Sequence, residues 1–385
     1  MSSSNQDFLR RLPDSKDHFS RTESLWRRMH IDPILLLLLL LITAYGLTVL
    51  YSASGESQRL VTRQLVFFGV AYCTMFAVAQ VDPSLLRRWS PWFYGFGLIL
   101  LAAVFFIGVG AKGAQRWISL GFFRFQPSEV LKIAVPIMVA SYISARMLPP
   151  NLKHTFWCIV IIGLPAFLIL KQPDLGTSLL IIASGMIVVF LAGLRWRYVF
   201  SSVFLVLLSA WPMWEFVMKD YQKRRVLTLL NPEADRLGAG WNIIQSKTAI
   251  GSGGLEGKGW LKGTQSQLDF LPESHTDFII AVLAEEFGLL GVICLISLYG
   301  LTIGRGLFIA WTAQNTFNRL LAGSITLTFF VYIFVNIGMV AGLLPVVGVP
   351  LPLVSLGGTS IVTLMTGFGI LMAIATEKKK VASEY

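Results

Sequence analysis

The chain has 385 residues, 55% of them in the AVILMFWYC set and 14% charged, and its 34 glycines raise the apolar share to about 64%. Soluble domains sit near about 45 to 50% apolar and about 25% charged, so a soluble globular enzyme fits poorly and intrinsic disorder is excluded. The formal net charge of +11 would suggest nucleic acid in a soluble protein, but in a membrane protein it first reports orientation.

Residues 1–33 form a basic polar tail carrying Arg10, Arg11, Lys16, Arg21, Arg27 and Arg28. Ile34 to Leu50 is then free of charge and holds seven consecutive leucines, close to the length that spans a roughly 30 Å hydrocarbon core. The run is too long for a signal-peptide core and is followed by more of its kind, so it reads as an uncleaved anchor. Similar stretches recur near 64–80, 91–110, 128–145, 155–170, 176–193, 198–218, 278–304, 320–342 and 359–375. Ten transmembrane helices of an all-α integral membrane protein follow, making residues 34–375 one membrane domain between tails 1–33 and 376–385.

With the amino terminus inside, 17 lysines and arginines fall in the tails and inner connections, among them Arg87, Arg88, Arg146, Lys153, Arg195, Arg197, Arg305, Arg319, Lys378, Lys379 and Lys380. The short outer connections hold six: Arg59, Arg63, Lys112, Arg116, Arg124 and Lys171. The bias predicts both termini cytoplasmic. Eight acidic residues share the inner side, which therefore carries +9 and leaves +2 for the rest. The basic excess is thus mainly a topology signal, and nucleic acid drops out as a partner.

One connection differs in kind. Residues 219–277, between the seventh and eighth spans on the outer face, are rich in glycine (Gly238, Gly240, Gly251, Gly253, Gly254, Gly257, Gly259, Gly263). Trp241, Ile243, Ile244, Trp260, Leu268, Phe270 and Leu271 supply apolar groups that a disordered linker lacks, and the segment is expected to fold onto the membrane surface. Its glycines match neither phosphate-binding pattern. Ser252 stands where the P-loop needs glycine before Gly257-Lys258, and Glu256 stands at the third glycine of GxGxxG. Cys73, Cys158 and Cys294 lie in separate runs, with no CxxC and no histidine at metal-ligand spacing, which argues against a disulfide framework or a structural zinc site.

Ionisable groups at the apolar runs are more informative, because charge in hydrocarbon is costly and lines cavities. Glu129 and Lys132 are three apart at the start of the fourth span and can pair on one helix face. Asp174 lies in the Gln172-Pro-Asp-Leu-Gly176 turn, where a helix N-cap is the ordinary alternative. Asp277 opens the eighth span next to the folded outer loop, flanked by His275 and Thr276. Glu285 and Glu286 follow two turns further in; eight helical residues rotate by about 80°, so Glu285 lies nearer the face of Asp277. Arg63, Lys112, Arg116 and Arg124 add outer cations. An acidic residue facing basic ones at the outer edge suits an anionic, lipid-linked substrate.

Five segments, Lys112-Gly-Ala-Gln-Arg-Trp117, Phe125-Gln-Pro-Ser-Glu129, Gln172-Pro-Asp-Leu-Gly-Thr177, Leu271-Pro-Glu-Ser-His-Thr-Asp-Phe278 with Ala284-Glu-Glu-Phe-Gly288, and Leu351-Pro-Leu-Val-Ser-Leu-Gly-Gly358, resemble the SEDS family (shape, elongation, division and sporulation) over about residues 30–375. Gly251-Ser-Gly-Gly254, Gly263-Thr-Gln-Ser-Gln267 and Asn336-Ile-Gly-Met339 followed by Leu344-Pro-Val-Val-Gly-Val-Pro350 resemble its elongation (RodA-type) members more than its division (FtsW-type) members. Leu356 departs from the family's tyrosine in the Ser-x-Gly-Gly motif. The resemblance implies a peptidoglycan glycosyltransferase of the bacterial inner membrane that polymerises lipid II at the periplasmic face beside a class B penicillin-binding protein. It implies Asp277 as the catalytic base; Arg63, Arg116 and Lys132 are expected to stabilise the developing diphosphate charge, with Glu129 positioning Lys132, Asp174 shaping the cavity, and Glu285 and Ser355 as further candidate substrate contacts. No cofactor is evident; a divalent cation, Mg or Mn, is compatible with the leaving group, although no motif specifies a metal site. A lipid II flippase and a non-catalytic scaffold for the synthase are the alternative readings.

Overall fold

The structure is a computed structural model that describes residues 25–111, 114–119, 124–235, 238–264 and 274–377. The tail residues Arg10, Arg11, Lys16 and Arg21, the loop residues Lys112, Leu268, Phe270 and Leu271, and the terminal Lys378, Lys379 and Lys380 lie outside the described residues.

Each of the ten apolar stretches contains a helix. After a single turn at Leu25–Arg28 come α1 (Pro33–Ala53), α2 (Gln58–Ala79), α3 (Pro83–Ile107), α4 (Pro127–Ser144), α5 (Leu152–Lys171), α6 (Leu175–Leu191) and α7 (Trp196–Pro212, continued by a π turn, Met213–Val217). The large connection holds α8 (Asp220–Leu230) and α9 (Ala239–Gly253), and α10 (Ile279–Thr312), α11 (Thr316–Val340) and α12 (Thr359–Ala375) complete the bundle. Among the described residues seven helices are long and apolar enough to cross a membrane, and α6 and α12 are shorter apolar helices. The tenth, α4, carries Glu129 and Lys132 in its first two turns.

Local chemistry sets the helix starts. Asp32 accepts from Leu35 N at 2.9 Å and Asp82 from Ser84 N at 2.7 Å, each followed by a proline at the first helical position, where its missing N–H costs nothing. Asp174 likewise accepts from Thr177 N at 3.2 Å, as the capping alternative anticipated.

The protein is mostly helical, as expected, and one short ribbon is added to the helices. Between α3 and α4, β1 (Val109–Ala111), β2 (Ala114–Ser119) and β3 (Arg124–Phe125) form a small antiparallel sheet in the order β1-β2-β3. Helix α3 cannot continue through Gly108 because its backbone turns extended there (φ −65°, ψ 135°), and the sheet places Arg116 next to the α5–α6 turn.

At the centre, α10 packs on α1 and α11, α11 on α4 and α6, and α12 on α2. Apolar residues also cover the outer faces: Phe204, Leu205, Val206, Leu207 and Leu208 of α7 are all exposed, as suits a helix facing hydrocarbon.

The eighth span is not the continuous helix anticipated. Gly288 interrupts α10 with φ 65° and ψ −163°, a backbone region open essentially only to glycine. The break frees carbonyls and amides that the turn after α9 takes up. Lys258 N donates to Glu285 O at 3.0 Å, Gly259 N to Glu286 O at 2.9 Å, Leu289 N to Gly254 O at 3.0 Å and Leu290 N to Leu255 O at 3.1 Å. Contact is so close that a Cβ on Gly288 would lie 2.4 Å from Gly257 N. Ser274 Oγ reaches Ala53 O and Glu286 reaches Ser52, so both ends of the Asp277 segment meet the last turn of α1. The segment Ile279–Phe287 therefore crosses the end of the bundle, and the remainder, Leu289–Thr312, is about 36 Å long and suffices for the span. Glu285 and Glu286 consequently do not lie two turns deeper than Asp277.

Gly288→Ala places a side chain in that backbone region and against Gly257. It should lower the thermal midpoint of the purified protein by an amount equivalent to about 1 to 3 kcal/mol, whereas Gly300→Ala, which meets nothing within 4 Å, should not. Equal midpoints for the two variants would contradict the break.

Candidate functional site

The backbone around Asp277 is held from three directions. His275 O accepts from Leu356 N at 2.9 Å, Thr276 O from Ser355 Oγ at 2.6 Å, and Asp277 O from Asn336 Nδ2 at 2.9 Å. Ser355 Oγ also accepts from Leu351 N at 2.8 Å, so the hydroxyl anticipated to face substrate is engaged in fixing this turn. Gln64 of α2 braces the other side, donating to Ser355 O and accepting from Gly357 N, both at 3.2 Å. The Asp277 side chain remains partly accessible, and its Oδ2 would be 3.6 Å from a Cβ on Gly348, whose φ is +73°. That glycine satisfies the turn and keeps the approach to the carboxylate open.

A second set of charges lies on α4, β2 and the α5–α6 turn. Lys132 Nζ donates to Glu129 Oε1 at 2.7 Å, with side chains only 9% and 6% exposed, which confirms the pairing read from their spacing. The ammonium also stands 5.5 Å from the centre of the Tyr332 ring. Asp174, while capping α6, accepts from Thr177 Oγ1 at 3.0 Å and from Gln126 Nε2 at 3.2 Å, and Arg116 approaches it at 3.7 Å. Arg116 is itself anchored by donating from Nε to Gln172 O at 3.1 Å and to Pro173 O.

Two routes join this set to Asp277. Tyr332 and Asn336 are four apart on α11 and so share a face, one against Lys132 and the other against the Asp277 carbonyl. Gly176, two residues past Asp174, sits so close to Val347 and Val349 that a Cβ there would be 2.7 Å from Val347 O, and these valines flank Gly348. Asp277, Asp174, Arg116, Glu129 and Lys132 thus belong to one connected cluster. Glu129 Oε2 and Ser128 Oγ are buried there without a hydrogen-bond partner among the described residues.

Two anticipated residues are placed elsewhere. Arg63 is exposed and stacks 5.7 Å from the Phe67 ring, and that ring abuts Gly358, so Arg63 flanks the cluster rather than entering it. Glu285 is fully buried and accepts from Lys258 Nζ at 2.7 Å and from Thr264 N and Oγ1 at 2.8 and 2.9 Å. It clamps the large connection onto the segment that carries Asp277. Reading ionisable groups alone passed over Gln64, Tyr332 and Asn336; amides and a phenol inside otherwise apolar runs were the available signal.

Residues 32–380 match the model of the cell cycle protein family that groups FtsW, RodA and SpoVE. The chain belongs to this family. It is 54% identical over 357 residues to the peptidoglycan glycosyltransferase MrdB of Escherichia coli, covering 93% of this chain and 96% of that protein. A probable peptidoglycan glycosyltransferase FtsW of Trichlorobacter lovleyi is 36% identical over 370 residues, covering 92% and 95%. Among solved structures, a chain from work on the structural coordination of polymerization and crosslinking by a peptidoglycan synthase complex superposes with a TM-score of 0.79 at 30% identity, covering 89% of this chain and 96% of that one. The rod shape determining protein RodA of Thermus thermophilus gives a TM-score of 0.69 at 27% identity, covering 90% and 97%. The FtsW/RodA/SpoVE likeness therefore spans the whole bundle and all the cluster residues.

Removing one member of a buried ion pair leaves a charge without compensation and costs about 3 to 5 kcal/mol, whereas removing both is often nearly neutral. Lys132→Met should therefore lower the thermal midpoint more than the double variant Glu129→Gln with Lys132→Met. A double variant no more stable than the single one would contradict the pair.

Proposed function

We propose that the protein is a peptidoglycan glycosyltransferase that polymerises lipid II into β-1,4 glycan strands at the outer face of the bacterial inner membrane during cell elongation. The observation that carries the reading is the Asp277 cluster, an accessible carboxylate connected to buried and half-buried cations, in a chain that shares 54% identity with a protein named for this activity. Ten spans and cytoplasmic termini are supported by the ten helices and the inner basic bias, and that orientation puts Asp277 at the periplasmic edge.

Chemistry follows from the groups. The acceptor sugar 4-hydroxyl gives its proton to the Asp277 carboxylate as its oxygen attacks the anomeric carbon of the donor. The bond from that carbon to undecaprenyl diphosphate breaks, and the leaving group takes the electron pair. An α-linked donor giving a β-linked product needs a single inverting displacement, with one base and no covalent carboxylate intermediate. Arg116 and Lys132 stabilise the diphosphate as its charge develops, Arg63 guides it from the rim, Glu129 orients Lys132, and Asp174 orients Arg116. Ser355 and Glu285 act through the backbone that presents Asp277. A divalent cation held partly by the diphosphate oxygens would share the leaving-group role; among the described residues no three His, Cys, Asp or Glu side chains are grouped to hold one by themselves. A class B penicillin-binding protein is the partner that would crosslink the emerging strand, a role supported by the likeness to a chain of a peptidoglycan synthase complex.

The test is reconstitution of the purified chain with that partner in vesicles containing labelled lipid II. Glycan polymer should form with release of one undecaprenyl diphosphate per disaccharide added. Movement of intact lipid II between leaflets without polymer would overturn the proposal in favour of the flippase reading.

A further inference from the structure

At the end of the bundle opposite Asp277, α1, α10 and α12 enclose a cavity of about 850 Å³ lined by Arg28, His30, Asp32, Arg305, Phe308 and Thr376, among others. This volume lies in the range of ligand-sized pockets. Its two acids are already satisfied within the protein. Asp32 accepts from Arg305 Nε at 3.2 Å and Nη2 at 2.5 Å while capping α1 through Leu35 N, and Glu377 accepts from Asn318 at 2.7 Å and Asn315 at 3.4 Å.

Its basic side chains are less committed. Arg28 is exposed at the rim, and no acid pairs with it among the described residues. Arg305 uses Nε and Nη2 on Asp32, and its second terminal nitrogen remains for another acceptor. His30 is held in a left-handed backbone conformation with φ 53°, where Nδ1 meets Thr376 Oγ1 at 3.0 Å; Nε2 is the nitrogen left for a ligand. A non-glycine residue kept there costs of order 1 to 3 kcal/mol and is a feature of ligand clamps.

Phe308 of the cavity lining is joined by exposed apolar side chains a few residues from that lining on α1 and α10. Ile34, Leu37, Phe308 and Trp311 are 51%, 57%, 54% and 82% exposed, next to the α1 start at Pro33 where hydrocarbon gives way to headgroups, and tryptophan favours that boundary.

We propose that this cavity binds the phosphate of an anionic glycerophospholipid of the cytoplasmic leaflet through Arg28, Arg305 and His30, with the acyl chains along Ile34, Leu37 and Phe308. Basic pockets between helices on the cytoplasmic side recognise lipid headgroups in this way. A free phosphate ester shares the polar chemistry, but it leaves these apolar side chains unused. The inference rests on the amino terminus being cytoplasmic and is independent of the catalytic assignment.

The test uses the full chain, purified and exchanged into detergent, with phosphatidylglycerol, phosphatidylcholine or glycerol phosphate added and retention read by native mass spectrometry. Phosphatidylglycerol should be retained in preference to phosphatidylcholine. The double variant Arg28→Ala with His30→Ala should lose that preference roughly tenfold, the loss of about one charge-assisted hydrogen bond to phosphate. Arg87→Ala, a basic residue on the same side but outside the cavity, should keep it. Thermal midpoints equal to wild type in phosphatidylcholine show that the double variant is folded; a lowered one shifts the comparison to Arg28→Ala alone, which should lose preference in the same direction. Equal retention of the two lipids by wild type, unchanged preference in the cavity variant, or equal occupancy by glycerol phosphate would each overturn the proposal.

Discussion

Backbone polar groups cannot be left unpaired in hydrocarbon, and that constraint organises the end of the bundle that carries Asp277, at Gly288. The break in α10 exposes two carbonyls and two amides, each costing about 1 to 3 kcal/mol if buried unpaired, and the Gly254–Gly259 turn answers all four. The large connection is thereby fastened to the bundle. Because the break turns Ile279–Phe287 across the end of the helices, it also puts Asp277 against Gly348 and Asn336 and not at the top of a straight span. Glu285 with Lys258, and Glu286 with Ser52, secure the same junction through side chains.

The same economy governs charge. A buried carboxylate or ammonium is tolerated only with a partner, and the pairs Glu129 with Lys132, Asp174 with Arg116, Glu285 with Lys258 and Asp32 with Arg305 follow that rule. These pairs differ in use. Lys258 and Glu285 close a structural seam, whereas Glu129, Lys132, Asp174 and Arg116 connect to the Asp277 turn and, in the proposed mechanism, supply the cations for the leaving diphosphate. Because these pairs are formed without substrate, the proposed reaction would need little reorganisation as charge develops.

Much of this was legible in the sequence because the signals are local. Apolar run lengths marked every helix of the bundle, a three-residue spacing marked the Glu129–Lys132 pair, and Asp174 before Leu175-Gly176 marked a capped start. What the sequence hid was long-range. Nothing adjacent to Gly288 announces that a loop about thirty residues earlier will complete its hydrogen bonds, so α10 read as continuous and Glu285 read as a substrate contact. The β1–β3 ribbon escaped notice because its strands are only two to six residues long and lie beside a longer apolar run. Gln64, Tyr332 and Asn336 matter through partners 59 to 293 residues away or on another helix, a relation that spacing cannot display.

The central claim is that the Asp277 carboxylate removes the acceptor proton and that its surroundings serve that act. The most direct measurement is the rate of glycan formation from lipid II by the complex carrying Asp277→Asn, compared with wild type at equal occupancy of the partner. Asparagine keeps the size and the backbone contacts to Asn336 but cannot act as the base, so the rate should fall by roughly 10²- to 10⁴-fold while lipid II binding and partner assembly persist. Glycan strands made at the wild-type rate by the fully assembled variant would contradict the account.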